Sequence, residues 1–335
     1  MNPSRGLRRT ETAREVLVRK GAPIVSTFEE ILERRRVSRR RFLNVAGAGA
    51  GAAAVMTLAE GCGGSGGQSS GTTTNPPPPP PTTPVTPTLT DTDVLNFALN
   101  LEYLTAEFYL RAVTGSGLSS DDAGSSAGAV TGGTQVPFDP STAFLPLAKE
   151  LANDDQGHVR YLRKMLGTAA ISRPAIDFTN TFNAVAVAAG FGPTFNPFAD
   201  ANSFVVGAFL FEDLAVTAYH GAALSLTSKA NLAAVAGILG TEAYHAGEIR
   251  SLLIQLDVPS ITYANQISVW RGKLGGGAET TLSGSAVVAA DTNSIGYSRT
   301  TDQVLHIMYL SASAGVKSGG FFPSGMNGTI KTAAS

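Results

Sequence analysis

A chain of 335 residues with 43% hydrophobic and 15% charged residues can build a buried core, but it is neither a coiled coil nor a polyelectrolyte. Its single cysteine, Cys62, excludes a disulfide framework, a cysteine-rich zinc module and a cysteine-ligated iron–sulfur cluster. The net charge of −1 hides an asymmetry: residues 1–62 hold 12 Lys and Arg against 6 Asp and Glu, so the rest is acidic and offers no basic face for nucleic acid.

Residues 34–43 read RRRVSRRRFL and lead into a Gly- and Ala-rich apolar run, Val45 to Leu58. A basic cluster before a short apolar run is the pattern of an export signal. The run is shorter than the roughly 20 apolar residues of a membrane span. Ser38-Arg39-Arg40-Arg41-Phe42-Leu43 resembles the twin-arginine export signal, with Arg39 and Arg40 as the pair. That resemblance implies the twin-arginine export machinery as a partner and a protein that crosses the inner membrane already folded and loaded, into the periplasm or cell envelope. Cys62 follows the run and precedes a Gly/Ser-rich stretch. Two readings stay open there: lipid attachment at Cys62, for which Glu60 is an unusual neighbour, or ordinary cleavage between Ala59 and Gly64. Residues 63–90 have almost nothing to bury and read as a disordered tether that stiffens through its proline run.

The folded part is expected from residue 91. Asp91 to Val113 is the first helical pattern, with Asp91 or Asp93 as its cap and apolar residues at Leu95, Ala98, Leu99, Ala106 and Tyr109. A Gly/Ser-rich crossing covers Thr114 to Pro140. A second helix is expected over Ser141 to Leu166, capped by Ser141 or Thr142, a third over Ala201 to Leu226, and a fourth over Ser228 to Leu256, ahead of Pro259. Helices this long, joined as two pairs, predict an all-α four-helix bundle over 91–256 with an irregular connection between the pairs. Residues 257–335 read as a partly irregular C-terminal extension with a short helix near 302–312; the FFPSGMNG segment at 321–328 reads equally as ordered loop or loose tail.

Each long helix carries one carboxylate on its apolar face. Glu102 sits among Leu95, Leu99, Ala106 and Tyr109; Asp155 among Ala148, Leu151, Val159 and Leu162; Glu212 among Val205, Phe209, Ala215 and Tyr219; Glu242 among Val235, Ile238, Ala246 and Ile249. A buried, unpaired carboxylate costs several kcal/mol, and four that converge repel one another unless cations join them. Two of the four histidines lie three residues after one of these acids, in Asp155-x-x-His158 and Glu242-x-x-His245. That spacing sets both side chains on one helical face, where they can grip one ion. His220 and His306 fit better as core imidazoles bonded to backbone carbonyls. Asp154 is an alternative to Asp155 through its i,i+4 relation to His158, with less core-like neighbours.

An internal echo links the helix pairs. LNLEYLTAEFYLRA (99–112) aligned with FLFEDLAVTAYHGA (209–222) superposes Glu102 on Glu212 and Tyr109 on Tyr219. The chain thus reads as two copies of one hairpin, each giving a Glu and then an acid-x-x-His. Tyr109 and Tyr219 either hydrogen-bond the ligands and relay electrons or pack as bundle aromatics. Glu107, outside the echo, reads as a surface ion pair with Arg111 or as an outer support of the site, and Glu248, three past His245, as an orienting neighbour.

One Glu followed by Glu-x-x-His, repeated across four helices, resembles the ferritin-like di-metal carboxylate superfamily. Within it, residues 95–113, 147–163 and 209–222 look like the bacterial ferritin-like proteins related to plant desiccation-related proteins. Carried over by position, the resemblance implies Glu102, Asp155, His158, Glu212, Glu242 and His245 as ligands of two iron or manganese ions. Asp155 departs from the family's usual Glu, which makes a bridging ligand terminal or weakens one ion. Hard oxygen and imidazole donors suit iron or manganese. The chemistry the superfamily implies is ferroxidase-like or peroxide-destroying, with small oxygen species as substrates, in protection against oxidative or desiccation stress. No rubredoxin-type Cys-x-x-Cys supplies electrons, so the reductant is external and unidentified. The tether and extension argue against a closed storage shell, while smaller oligomers stay compatible with the sequence. The competing expectation is a non-catalytic envelope bundle whose metal is structural or lost.

Overall fold

The computed structural model describes residues 89–277, 279–283 and 286–334. Arg39, Arg40 and Cys62, with the export, lipidation and tether readings attached to residues 1–88, lie outside the described residues.

Eight α-helices account for most of these residues, as the all-α expectation requires. Four are long: α1 (Asp91–Thr114), α3 (Phe144–Leu166), α5 (Ala201–Ala223) and α6 (Lys229–Leu253); the shorter ones are α2 (Ser120–Ala123), α4 (Thr179–Ala189), α7 (Val258–Leu274) and α8 (Thr301–Met308). Helix α1 packs along α3, α5 along α6, and α1 against α5. The sequence of α5 is apolar nearly all round and long enough to cross a membrane by length and composition, yet most of it is buried inside the domain, as the axial helix of a core.

The helix ends show which polar residues were free to cap. Thr90, not Asp91 or Asp93, caps α1. Its hydroxyl accepts from the Asp93 N–H at 3.2 Å while the Asp93 carboxylate accepts from the Thr90 N–H at 2.9 Å, a reciprocal capping box. Asp91 is spent elsewhere: its carboxylate accepts from the backbone of Thr227 and Ser228 and from the Asn231 side chain, pinning the start of α1 to the turn between α5 and α6. Helix α3 begins at Phe144, later than expected and without a side-chain cap. The polar groups of Ser141 and Thr142 are tied to Asp139 instead, at 2.7–2.8 Å.

Pro259 does not close the fourth long helix. That helix ends at Leu253, and Pro259 lies in the first turn of α7, where a missing N–H costs nothing and Asp257 caps by accepting from Ser260 N–H at 2.9 Å. The irregular connection expected between the hairpins contains α4, and the two crossings are joined by a short parallel pair, β1 (Val130–Thr131) with β2 (Ile176–Asp177).

The C-terminal extension is ordered against the bundle. Helix α7 packs on α5 and α4, and α8 on α5 and α7. The FFPSGMNG segment is loop, not loose tail. Phe321 and Phe322 are fully buried, and Asn327 exchanges two hydrogen bonds with the side chain of buried Asn100 on α1, at 2.9 and 3.0 Å. A buried ionic network ties the extension to the core: Asp213 accepts from Arg250 and Arg271 at 2.7 Å each, and Glu279 accepts from Arg271 and Arg299 at 2.7–2.9 Å.

Candidate metal centre

Glu102 comes from α1, Asp155 and His158 from α3, Glu212 from α5, and Glu242 and His245 from α6. Each stands on the core face of its helix because the apolar residues three, four and seven places away fix that face inward. None of the four carboxylates is more than 2% exposed. His158 Nδ1 lies 3.0 Å from Glu242 Oε1 and 3.3 Å from Glu102 Oε2. His245 Nδ1 lies 3.5 Å from Glu212 Oε2, 3.8 Å from Asp155 Oδ1 and 3.9 Å from Glu242 Oε2.

Two sets of donors result. One ligand atom each from Glu102, Asp155, His158 and Glu242 lie within 4.8 Å of one another, as do one each from Glu212, Glu242 and His245. Glu242 belongs to both. Glu102 Oε2, Glu212 Oε2, both oxygens of Asp155 and Glu242, and both imidazole Nδ1 atoms are buried without a hydrogen-bond partner of proper geometry. Native proteins rarely leave buried polar atoms unsatisfied, and here eight such atoms converge on the same interior. The donors are those a pair of hard divalent ions takes, and the residues fit such a pair.

The remaining oxygens are held. The hydroxyl of Tyr109 donates to Glu212 Oε1 and that of Tyr219 to Glu102 Oε1, so each hairpin's tyrosine braces the other hairpin's glutamate. The internal echo in the sequence therefore appears in space as a crossed pair. Burial, then the negative charge of the glutamate each one faces, pushes both phenols well above their ordinary pKa, so they stay protonated and act as donors.

Asp155 takes the buried position on α3, and Asp154 has a different role. Its carboxylate lies 3.2 Å from His245 Nε2 and is held below its ordinary pKa chiefly by that contact. Sharing Nε2–H with Asp154 makes Nδ1 the nitrogen that faces the acids, and the one that would offer its electron pair to an ion once its proton is displaced. Outer partners of this kind are typically worth 10- to 100-fold in metal affinity, so Asp154→Asn is expected to weaken Mn(II) binding by about that factor in a calorimetric titration. Glu107 is not a surface residue: it is fully buried, accepting from Arg111 at 2.8 Å, from Arg173, and from Leu118 N–H at 3.1 Å. It belongs to neither donor set, and neither does half-buried Glu248. His220 and His306 pair through Nδ1 with the carbonyls of Tyr297 and Ser311.

Without an ion, protons take up part of the crowded charge. Burial opposes the charged form of His158, but the charge of Glu102 and the contacts with Glu102 and Glu242 outweigh it and push its pKa up to about 11. For His245 burial is likewise outweighed, first by Glu212, and the value is pushed up to about 12. Burial, then the charges of Glu212 and Glu102, raise Glu242 to about 8, and burial, then the charge of Glu242, raises Asp155 well above the carboxylate range. All of these groups are raised, so the ion-free centre carries protons at pH 7 that an ion must displace. Metal affinity is therefore expected to rise with pH, by roughly tenfold per unit for each proton displaced. Titrations of Mn(II) at pH 6 and 8, in buffers of different ionisation heat, measure both the affinity gain and the protons released.

Residues 90–255 match the family model described as "Ferritin-like domain", over the same helices that bring the donors together. They form a ferritin-like domain. Two curated proteins extend the likeness beyond it. The ferritin-like catalase Nec2 of Nesocodon mauritianus is 28% identical over 269 residues, covering 72% of this chain and 84% of its own length. The desiccation-related protein PCC13-62 of Craterostigma plantagineum is 28% identical over 242 residues, covering 64% of this chain and 76% of its own. Both matches are longer than the ferritin-like domain, in keeping with an extension packed on the bundle.

Proposed function

We propose that Glu102, Asp155, His158, Glu212, Glu242 and His245 hold two iron or manganese ions and that the loaded centre disproportionates hydrogen peroxide, protecting the cell envelope under oxidative or drying stress. The observation that carries this reading is the pair of donor sets that share Glu242 and that together hold eight atoms buried without a hydrogen-bond partner. The name of one relative, a ferritin-like catalase, favours peroxide over other small oxygen species, and that of the other favours desiccation as the setting.

The chemistry that a redox-active ion pair held by these six residues would supply is peroxide disproportionation, in which two peroxides become one dioxygen and two waters with no outside reductant. The protein's part is to bind, orient and exclude. Tyr109 and Tyr219 hold one oxygen of Glu212 and Glu102, leaving the other unpartnered among the converging donors. Asp154 keeps His245 in the matching tautomer. The four carboxylates are shut off from water, and the most accessible of the six side chains is His158, at 13% exposure. His158 is thus the side chain through which the centre comes nearest to solvent.

The export pattern with Arg39 and Arg40 supports passage through the twin-arginine machinery, and Cys62 followed by the tether supports a lipid anchor outside the inner membrane. Oxygen evolution from peroxide by protein reconstituted with Mn(II) or Fe(II) tests the chemistry. Dioxygen released at half the rate of peroxide loss is the expected result. Fe(II) oxidation without oxygen evolution assigns ferroxidase chemistry instead, and neither activity in protein holding two ions leaves the centre structural.

A further inference from the structure

The two hairpins repeat each other, but they do not repeat the bridging acid: where one has Glu242-x-x-His245 the other has Asp155-x-x-His158. Glu242 reaches both donor sets, whereas Asp155, one methylene shorter on an equally buried helix face, joins only the set with Glu102, His158 and Glu242. From this we infer that the two ion positions are unequal: the Glu102/Asp155/His158/Glu242 position loads first and holds its ion, and the Glu212/Glu242/His245 position is the weaker, with one protein donor fewer. This rests on the di-metal reading and sharpens it.

Donor count and charge point the same way. The first position draws on three carboxylates and an imidazole, the second on two carboxylates and an imidazole. Asp155 Oδ1 stands 3.8 Å from His245 Nδ1, close to the second position but not among the atoms that converge on it. Asp154 strengthens His245 from outside, yet its carboxylate is 42% exposed, so solvent screens its charge and it does not stand in for a missing ligand. Helix α3 packs along α1 over its length. Among the described residues, the second position is thus left with one side-chain donor fewer than the first.

Calorimetric titration of Mn(II) into the ion-free full chain, with bound ions counted by mass spectrometry of the metal, tests this without reference to activity. Wild-type protein is expected to bind two ions in two classes at least tenfold apart in affinity. Glu212→Gln, which keeps the acceptor for Tyr109, is expected to remove the weaker class and spare the tighter; Glu102→Gln is expected to weaken the tighter by tenfold or more. Asp155→Glu is expected to narrow the gap, read beside a melting curve that shows the variant folded. Two wild-type ions of equal affinity, or Glu212→Gln striking the tighter class, overturn the inequality and leave the di-metal reading standing. A wild-type chain that binds no Mn(II) or Fe(II) overturns both.

Discussion

Replacement of Glu242 by Ala is expected to abolish binding of the ion pair and to lower peroxide turnover by at least a hundredfold. Among the described residues Glu242 alone contributes to both donor sets, so its loss takes one donor from each. Loss of ligands at a buried site costs more than the 10- to 100-fold typical of an outer partner, which sets the lower bound. The ion-free fold need not suffer. Burial and neighbouring charge push Glu242 up to about 8, so at pH 7 its carboxyl is largely protonated in ion-free protein and removing it takes away little charge. The expected pattern is metal content falling from two ions per chain to none or one while the melting temperature of the ion-free protein stays level or rises, read by metal analysis and circular dichroism.

Asp213→Ala is expected to act on stability where Glu242→Ala acts on metal. Asp213 is adjacent in sequence to Glu212 but faces the other way, and its Oδ2 accepts from both Arg250 and Arg271 at 2.7 Å. Both guanidinium groups are buried and also lie over the Phe209 ring, at 5.4 and 4.7 Å. Removing their shared acid leaves uncompensated positive charge in the core, which costs about 3–5 kcal/mol. For a domain of this size that corresponds to a melting temperature lower by roughly 10 °C. The loss should be largest around α7 and residues 279–283, which the network fastens to the bundle, and hydrogen exchange would show those amides opening first. A drop under about 1 kcal/mol would mean that the carbonyls these arginines also reach are enough to hold them.

The centre was legible in the sequence because function there contradicts packing. A carboxylate at i among apolar residues at i±3, i±4 and i±7 faces a core only where a cation or another polar partner meets it, and Glu102, Asp155, Glu212 and Glu242 all show that conflict. The fourfold pattern also gave the bundle, since periodicity of 3.6 over more than 20 residues is hard to produce otherwise. What the pattern could not give was anything settled by partners distant in the chain. Asp154 differs from Asp155 only in which way it faces, and its bond to His245 spans 91 positions. Glu107 has Arg111 in view at i+4, but Arg173 and Leu118 N–H, which explain its burial, arrive with the crossings.

Helix α7 escaped for another reason. Its buried face includes Ser260, Ser268 and Arg271, so hydrophobic periodicity is nearly absent even though the helix is well packed. Asn96 and Asn100 were the available sign that the tail would be ordered. They are polar residues on the core side of α1, and both are consumed in fastening loops that a sequence cannot place: Asn96 binds the backbone of Ala169 and Ile171, and Asn100 that of Asn327.

Anomalous diffraction from crystals of the full chain grown with Fe(II) or Mn(II), collected on either side of the metal's absorption edge, tests the central claim most directly. The account predicts two peaks about 3.5–4 Å apart among Glu102, Asp155, His158, Glu212, Glu242 and His245, with Glu242 touching both. Density with no anomalous signal there, and imidazole and carboxyl groups bonded to one another in its place, would contradict it.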